Sequence, residues 1–272
     1  MFSLITLYLA PVIGFPWTMR IIGFISLVCC TVACLTLKTR PAIQTHDPAS
    51  TKTNSKPSLP TILLHAIDLR PLAHDPSYLT TTLAITVIEF AVFLPITYLP
   101  SAALASGLPP QTSYRLIAFL NAGSVPGRAL PNYLSDSLGR FNVMIATALA
   151  CTILIFCLWL PPTALDVSSE AALTVFAVLF GFWSGAAISL TPVCVAQVSE
   201  VGEVGRRVGT TFSISSFGAL VGVPIGGAIV DGSPGGGYLW LVVFAGGCYV
   251  LALLAFMVAR WVAGPKRALA AF

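Results

Sequence analysis

Charge is what this 272-residue chain has least of: Asp, Glu, Lys and Arg together make up 9% of it. An ordinary globular chain carries about 25%. So few charges cannot cover a water-soluble surface, which sets aside a soluble enzyme. The wealth of Leu, Ile, Val and Phe sets aside intrinsic disorder. A net charge of 14 − 10 = +4 is too dilute for a nucleic-acid partner. Metal and redox signatures are also missing. The seven cysteines form no CxxC pair and have no His at ligand spacing; six lie inside apolar runs, and Cys194 closes one. They read as small hydrophobes, and neither a metal nor a cofactor is expected. No GxxxxGK[ST] occurs, so the chain does not hydrolyse a nucleotide itself. The first charge is Arg20, so the start does not read as a secretory signal.

What is present is apolar length, with 56% hydrophobic residues. A bilayer core takes about 20 apolar residues per helix. Seven stretches qualify, at 17–37, 78–99, 112–130, 141–160, 171–193, 209–230 and 238–262. An eighth, 2–13, is too short and reads as the tail of a further helix. Turn residues separate the stretches: Pro100 with Pro109-Pro110, Pro161-Pro162, and Ser233-Pro234-Gly235-Gly236-Gly237. The expectation is an all-α polytopic membrane protein.

Lys and Arg orient it. With the C-terminus cytoplasmic, Lys38, Arg40, Lys52, Lys56, Arg70, Arg140, Arg206, Arg207, Arg260, Lys266 and Arg267 fall inside, and only Arg20 and Arg115 outside. That 11-to-2 asymmetry is strongly positive-inside. The chain then reads as a helix remnant (1–15), a complete helix (16–37), a polar cytoplasmic linker (38–77), a six-helix block (78–262) and a cytoplasmic tail (263–272). Within the linker, 59–72 has the spacing of an amphipathic surface helix.

Few residues inside the spans carry chemistry. Arg128 lies within the third span, about two turns from its inner end if that helix stops at 134. A charge at such depth faces a cavity or a partner, and a guanidinium fork fits a carboxylate. Pairing with Asp136 is the alternative. Glu89 is the one acid in mid-span, so it should be protonated, paired or cavity-facing; it is the candidate for proton coupling. Asp136, Gly139 and Arg140 make a tight turn, where glycine gives the freedom and the two charges can cross-pair. Gly181, Gly185, Gly222, Gly226 and Gly227 allow close helix approach, and Pro224 should bend its helix.

The residues also carry a resemblance. Asn121-Ala-Gly-Ser-Val-Pro-Gly-Arg128-Ala-Leu-Pro131-Asn-Tyr-Leu-Ser-Asp136-Ser-Leu-Gly139-Arg140-Phe-Asn142 resembles the helix 8–9 region of monocarboxylate-porter-like major facilitators, especially their fungal branch. Gly181-Phe-Trp-Ser-Gly185 through Gln197, Gly205-Arg206-Arg207-Val-Gly209 and Gly222-Val-Pro224-Ile-Gly226-Gly227 resemble helices 10 and 11. Gly14-Phe-Pro-Trp17-Thr-Met-Arg20-Ile-Ile-Gly23-Phe resembles the start of helix 6. The resemblance covers nearly the whole chain, in family order. It implies the second half of a major facilitator fold: the end of helix 5, then helices 6 to 12. The family fold holds substrate between two six-helix halves.

By that resemblance the protein is a secondary transporter of a small organic anion or metabolite, with efflux among the readings. It would sit as a multi-pass protein in the plasma membrane, alongside a separate N-terminal half or a full-length relative. Arg128, with Ser124 and Asn121, would contact substrate. Ser124 stands where animal-type porters carry an Asp, so no ionisable partner for Arg128 sits there. Asp136, Gly139 and Arg140 would form the inner-gate loop, and Gly222, Pro224 and Gly226 a hinge or packing site. The alternative is a truncated, transport-inactive or accessory membrane fragment.

Overall fold

The computed structural model describes residues 14–36, 72, 74–165, 169–233 and 237–264. All regular structure among them is helical. The chain divides into two compact units, 1–62 and 63–272. The first contributes helix α1 (Phe15–Thr36). The second contributes α2 (Pro76–Ala105), α3 (Pro110–Leu138), α4 (Arg140–Leu154), α5 (Leu160–Ala164), α6 (Glu170–Gln197), α7 (Val204–Gly232) and α8 (Leu239–Ala263). Of the expected remnant (1–15), linker (38–77) and tail (263–272), residues 1–13, 38–71, 73 and 265–272 lie outside the described residues, and with them all of the amphipathic stretch 59–72 but Leu72; the linker ends earlier than expected, since α2 begins at Pro76.

Among the described residues six stretches are long and apolar enough to cross a membrane: α1, α2, α4 through α5, α6, α7 and α8. The seventh expected span, α3, is a 29-residue helix of ample length, but it is more polar than the others. All seven helices therefore exist, and most extend beyond their apolar centres. The extension follows from capping. Asp75 accepts from the Ser77 and Tyr78 amides at 3.1 and 3.3 Å, with Pro76 at the first helical position. Ser169 accepts from the Ala172 amide, with Glu170 in the first turn of α6.

Six prolines lie inside the long helices, at 95, 100, 126, 131, 192 and 224. Neighbouring helices and local hydroxyls make them tolerable in a membrane bundle. Pro161-Pro162 does not end its helix, as its turn chemistry suggested. These residues lack amide donors for the carbonyls four residues earlier. The backbone accommodates this with a π turn over Ile155–Trp159 before α5.

That turn lies beside the aromatic centre of the second unit. Trp159 stacks on Phe176 at 5.4 Å, Phe176 on Phe180 at 5.2 Å, and Phe180 meets Tyr249 edge-on at 5.9 Å. All four are fully buried. Around them α6 packs on α3 and α4, and α2 packs on α8 and α7. Burial is uneven: 15 of the 30 residues of α2 are buried, but only five of the 29 in α7.

Candidate functional site

The polar stripe of α3 is built by spacing. Residues 121, 124 and 128 stand three and four positions apart, so they share one face. Asn121 Nδ2 donates to the Ile117 carbonyl and Ser124 Oγ to the Asn121 carbonyl, each at 2.8 Å. These bonds tie the two short side chains to their own helix. Arg128 does the opposite: it is exposed, and its guanidinium has no hydrogen bond or ion pair among the described residues. Because α3 runs on to Leu138, Arg128 stands ten residues from its end, about 15 Å. It is deeper than two turns, and it does not pair with Asp136.

The position of α3 is set by glycine. Cβ atoms added at Gly123, Gly127 and Gly181 would fall onto the carbonyls of Val178, Phe182 and Leu120 respectively. One added at Gly185 would lie 2.9 Å from the Ser124 carbonyl. Two Gly-x-x-x-Gly pairs, 123/127 and 181/185, thus let α3 and α6 touch backbone to backbone. The sequence reading singled out only the second pair for packing. The first was visible by the same spacing.

Glu89 points elsewhere. It is 7% exposed, enclosed where α2 meets α6 and α8. Thr191 Oγ1 approaches Glu89 Oε1 at 3.5 Å while also donating to the Ala187 carbonyl at 3.0 Å. The hydroxyl of fully buried Tyr249, on α8, has no hydrogen bond of ordinary geometry among the described residues. Glu89 and Arg128 are therefore not brought together.

At the α3–α4 turn Gly139 has φ +89° and serves both helix ends, the conformation glycine was expected to supply. The expected cross-pair is absent: Asp136 is exposed, Arg140 is half-buried, and no ion pair joins them among the described residues. On α7, Gly222 makes room for the Phe90 ring and Gly226 for Tyr98, Leu94 and Leu241. The Tyr98 hydroxyl donates to the Val223 carbonyl at 2.6 Å, gripping α7 beside Pro224. These glycines accept side chains from α2 and α8 rather than backbone.

One network escaped the sequence reading. The Arg207 guanidinium donates to Asp75 Oδ2 at 2.9 Å, Glu203 Oε2 at 3.1 Å and the Val198 carbonyl at 3.2 Å. It lies 5.0 Å from the centre of the Tyr78 ring. The Tyr78 hydroxyl donates to the Arg207 carbonyl and accepts from Thr211. Thr82–Thr211 and Thr86–Ser215 continue the ladder at 3.2 and 3.3 Å. The pairs 78/207, 82/211 and 86/215 share one offset of 129 residues, the mark of two parallel helices in register.

Comparison with known proteins agrees with this architecture. The family description "Major Facilitator Superfamily" matches residues 1–172 and 132–271. "MFS-type transporter 1" of Ophiocordyceps sp. (strain BCC 1869) is 35% identical over 93% of this chain and 51% of its own length. The "Riboflavin transporter MCH5" of Saccharomyces cerevisiae is 32% identical over 92% of the chain and 47% of its length. The "Fujikurins efflux protein" of Gibberella fujikuroi is 31% identical over 95% of the chain and 51% of its length. The chain spans about half the length of the curated relatives it matches. With its apolar helices packed as one half of that fold, the chain is a multi-pass membrane protein and belongs to the major facilitator superfamily.

Proposed function

We propose that the chain forms the second half of a monocarboxylate-porter-like secondary transporter, which moves a small organic anion or metabolite across the plasma membrane. One observation carries this reading: Arg128 stands exposed at membrane depth, without a counter-ion among the described residues, on the face that also presents Ser124 and Asn121. An uncompensated guanidinium there is costly unless a cavity or an anion receives it, and its fork suits a carboxylate. The relatives named for riboflavin transport and fujikurin efflux support movement of organic metabolites. Export fits the second name. Asp136 and Arg140, unpaired with each other, would latch onto a first half at the Gly139 end, whose cytoplasmic placement the Lys/Arg asymmetry supports.

The test is transport in proteoliposomes holding the chain together with a first half of the fold, using radiolabelled monocarboxylates and riboflavin as probes. Arg128→Lys should abolish carboxylate movement, while the protein reaches the membrane in normal amount. Undiminished movement in Arg128→Lys would eliminate the substrate role of Arg128. No movement of any probe in the unaltered protein would leave the reading of an accessory half.

A further inference from the structure

Helices α3 and α4 leave the Gly139 turn side by side, and both pack on α6. Between the three lies a cavity of about 300 Å³. Leu134 and Leu138 line it from α3, Val143 and Ala146 from α4, and Phe182 and Trp183 from α6. The two α6 rings stand edge to face, with centres 5.2 Å apart. Leu134, Leu138 and Ala146 are exposed, so the cavity is open on their side. On α3 it lies roughly a quarter turn round the helix from Arg128, apart from the polar stripe.

The lining selects the occupant, because it is almost wholly apolar. Asn142 also borders the cavity, but its amide nitrogen donates to the Leu138 carbonyl at 2.7 Å and its amide oxygen is buried. Water needs two to four polar partners, whereas an apolar cavity of about 150 Å³ takes benzene. An organic anion would leave its charge unpaired among these side chains. The chain is a multi-pass membrane protein, so the hydrocarbon at hand is a lipid acyl chain.

Two features give that lipid a length and a head. Ala146, Leu149 and Ile153 are exposed at helical spacing, so the apolar track runs on along α4 beyond the cavity. Asn142 to Ile153 spans about 16 Å of helix, close to one leaflet of a hydrocarbon core about 30 Å thick. At the turn end Arg140 opens α4, half-buried and without an ion pair among the described residues. Asp136, the acid of the same turn, stands two positions from both Leu134 and Leu138 and so on another face of α3. A cation at the end of an apolar slot between membrane helices matches an anionic headgroup.

We propose that the cleft between α3, α4 and α6 holds one anionic phospholipid from the leaflet at the Gly139 end, with an acyl chain in the cavity and its phosphate on Arg140. The Lys/Arg asymmetry supports that leaflet as the cytoplasmic one. The site does not depend on the transport reading. Where that reading holds, the lipid and a first half would alternate on Arg140.

The test places the full chain in nanodiscs of phosphatidylcholine with a small fraction of phosphatidylglycerol that carries a diazirine in its acyl chain. Illumination attaches the chain to the residues it touches, and peptide mass spectrometry locates them. Labelling at 134–146 and 182–183 should stand several-fold above that at Val250, Leu254 and Val258, which are exposed on α8 and meet only bulk lipid. It should also saturate as the probe fraction rises, while labelling of α8 climbs in proportion. Ala146→Trp fills the cavity from its open side and should remove the excess, with α8 labelling unchanged as the check on folding. Arg140→Gln should lower the excess several-fold, to the level given by a phosphatidylcholine probe. Cavity labelling that matches α8, never saturates, or survives Ala146→Trp overturns the lipid site. An excess equal for the two headgroups, or unmoved by Arg140→Gln, overturns the anionic lipid. Saturation is read on the unaltered chain, so it decides the matter even where a variant fails to assemble. A saturable excess in a protein that moves no substrate would overturn only the transport reading.

Discussion

Two seams hold the less buried helices of the second unit, and they work differently. Helix α3 lies against α6 through glycines at 123, 127, 181 and 185, backbone on backbone. Helix α7 lies against α2 through side chains: a charged cluster at Asp75 and Arg207, hydroxyl pairs at 82/211 and 86/215, then aromatic rings over Gly222 and Gly226. The first seam has no slack, because any added atom meets a carbonyl. The second depends on groups that can rotate and exchange partners. The helix with the stripe is thus fixed in place, and α7 is attached at discrete points. On the proposed transport reading, that contrast separates what must hold still to recognise a ligand from what can move.

The sharpest way to break this contrast is to put one methyl group into each seam. Gly127→Ala cannot be absorbed, since its Cβ would fall onto the Phe182 carbonyl oxygen, which has nowhere to go. The expected loss is about 3 kcal/mol or more, seen as the disappearance of monodisperse protein on size exclusion. Gly226→Ala meets the Tyr98 and Leu94 side chains at 2.7 and 3.0 Å, and these can turn aside. Its cost should stay near 1 kcal/mol, with protein still folded. Equal damage from the two would show that both seams are rigid.

A smaller effect comes from untying the charged end of α7. Asp75 both caps α2 and holds Arg207, whose side chain is only 11% exposed. Asp75→Ala should lower stability by about 2 kcal/mol in thermal unfolding. Asp75→Asn keeps a capping oxygen and removes the charge, so it should cost roughly half as much. Added salt should not reproduce the loss, because the shielded guanidinium is screened less than a surface pair. A neutral Asp75→Ala would mean that the rings over the glycines, not the charges, hold α7.

How much of this was legible depended on how far apart in the chain the partners stand. The helices followed from apolar length, and the shared face of Asn121, Ser124 and Arg128 from spacing within one helix. Glu89 stood out as a lone acid, but its direction did not, because apolar residues surround it on every side of α2 and leave no amphipathic phase to read. Asp75 and Arg207 are 132 residues apart, and nothing local marks them as partners. Asp136 and Arg140 failed in the opposite way. Four positions apart, they looked like a pair, yet no ion pair joins them across the glycine at φ +89°. The glycine spacing at 123/127 was visible, but only the structure shows that it, rather than 222/226, brings two backbones together.

The smallest effect discriminates best between a register lock and incidental polar contact. Thr86 and Ser215 meet at 3.3 Å, the third rung of the ladder between α2 and α7. Thr86 Oγ1 also bonds the Thr82 carbonyl on its own helix at 2.9 Å. If that local bond already satisfies the hydroxyl, the rung adds little. If it does not, the rung helps set which turn of α7 faces which turn of α2. Hydrogen bonds between membrane helices average about 0.6 kcal/mol. A double-mutant cycle of Thr86→Val and Ser215→Ala, read by thermal unfolding in nanodiscs, should return a coupling of about that size. A coupling of zero would leave the register of α7 on α2 to the Arg207 cluster, the Tyr78 and Thr82 contacts with Thr211, and the Tyr98–Val223 bond.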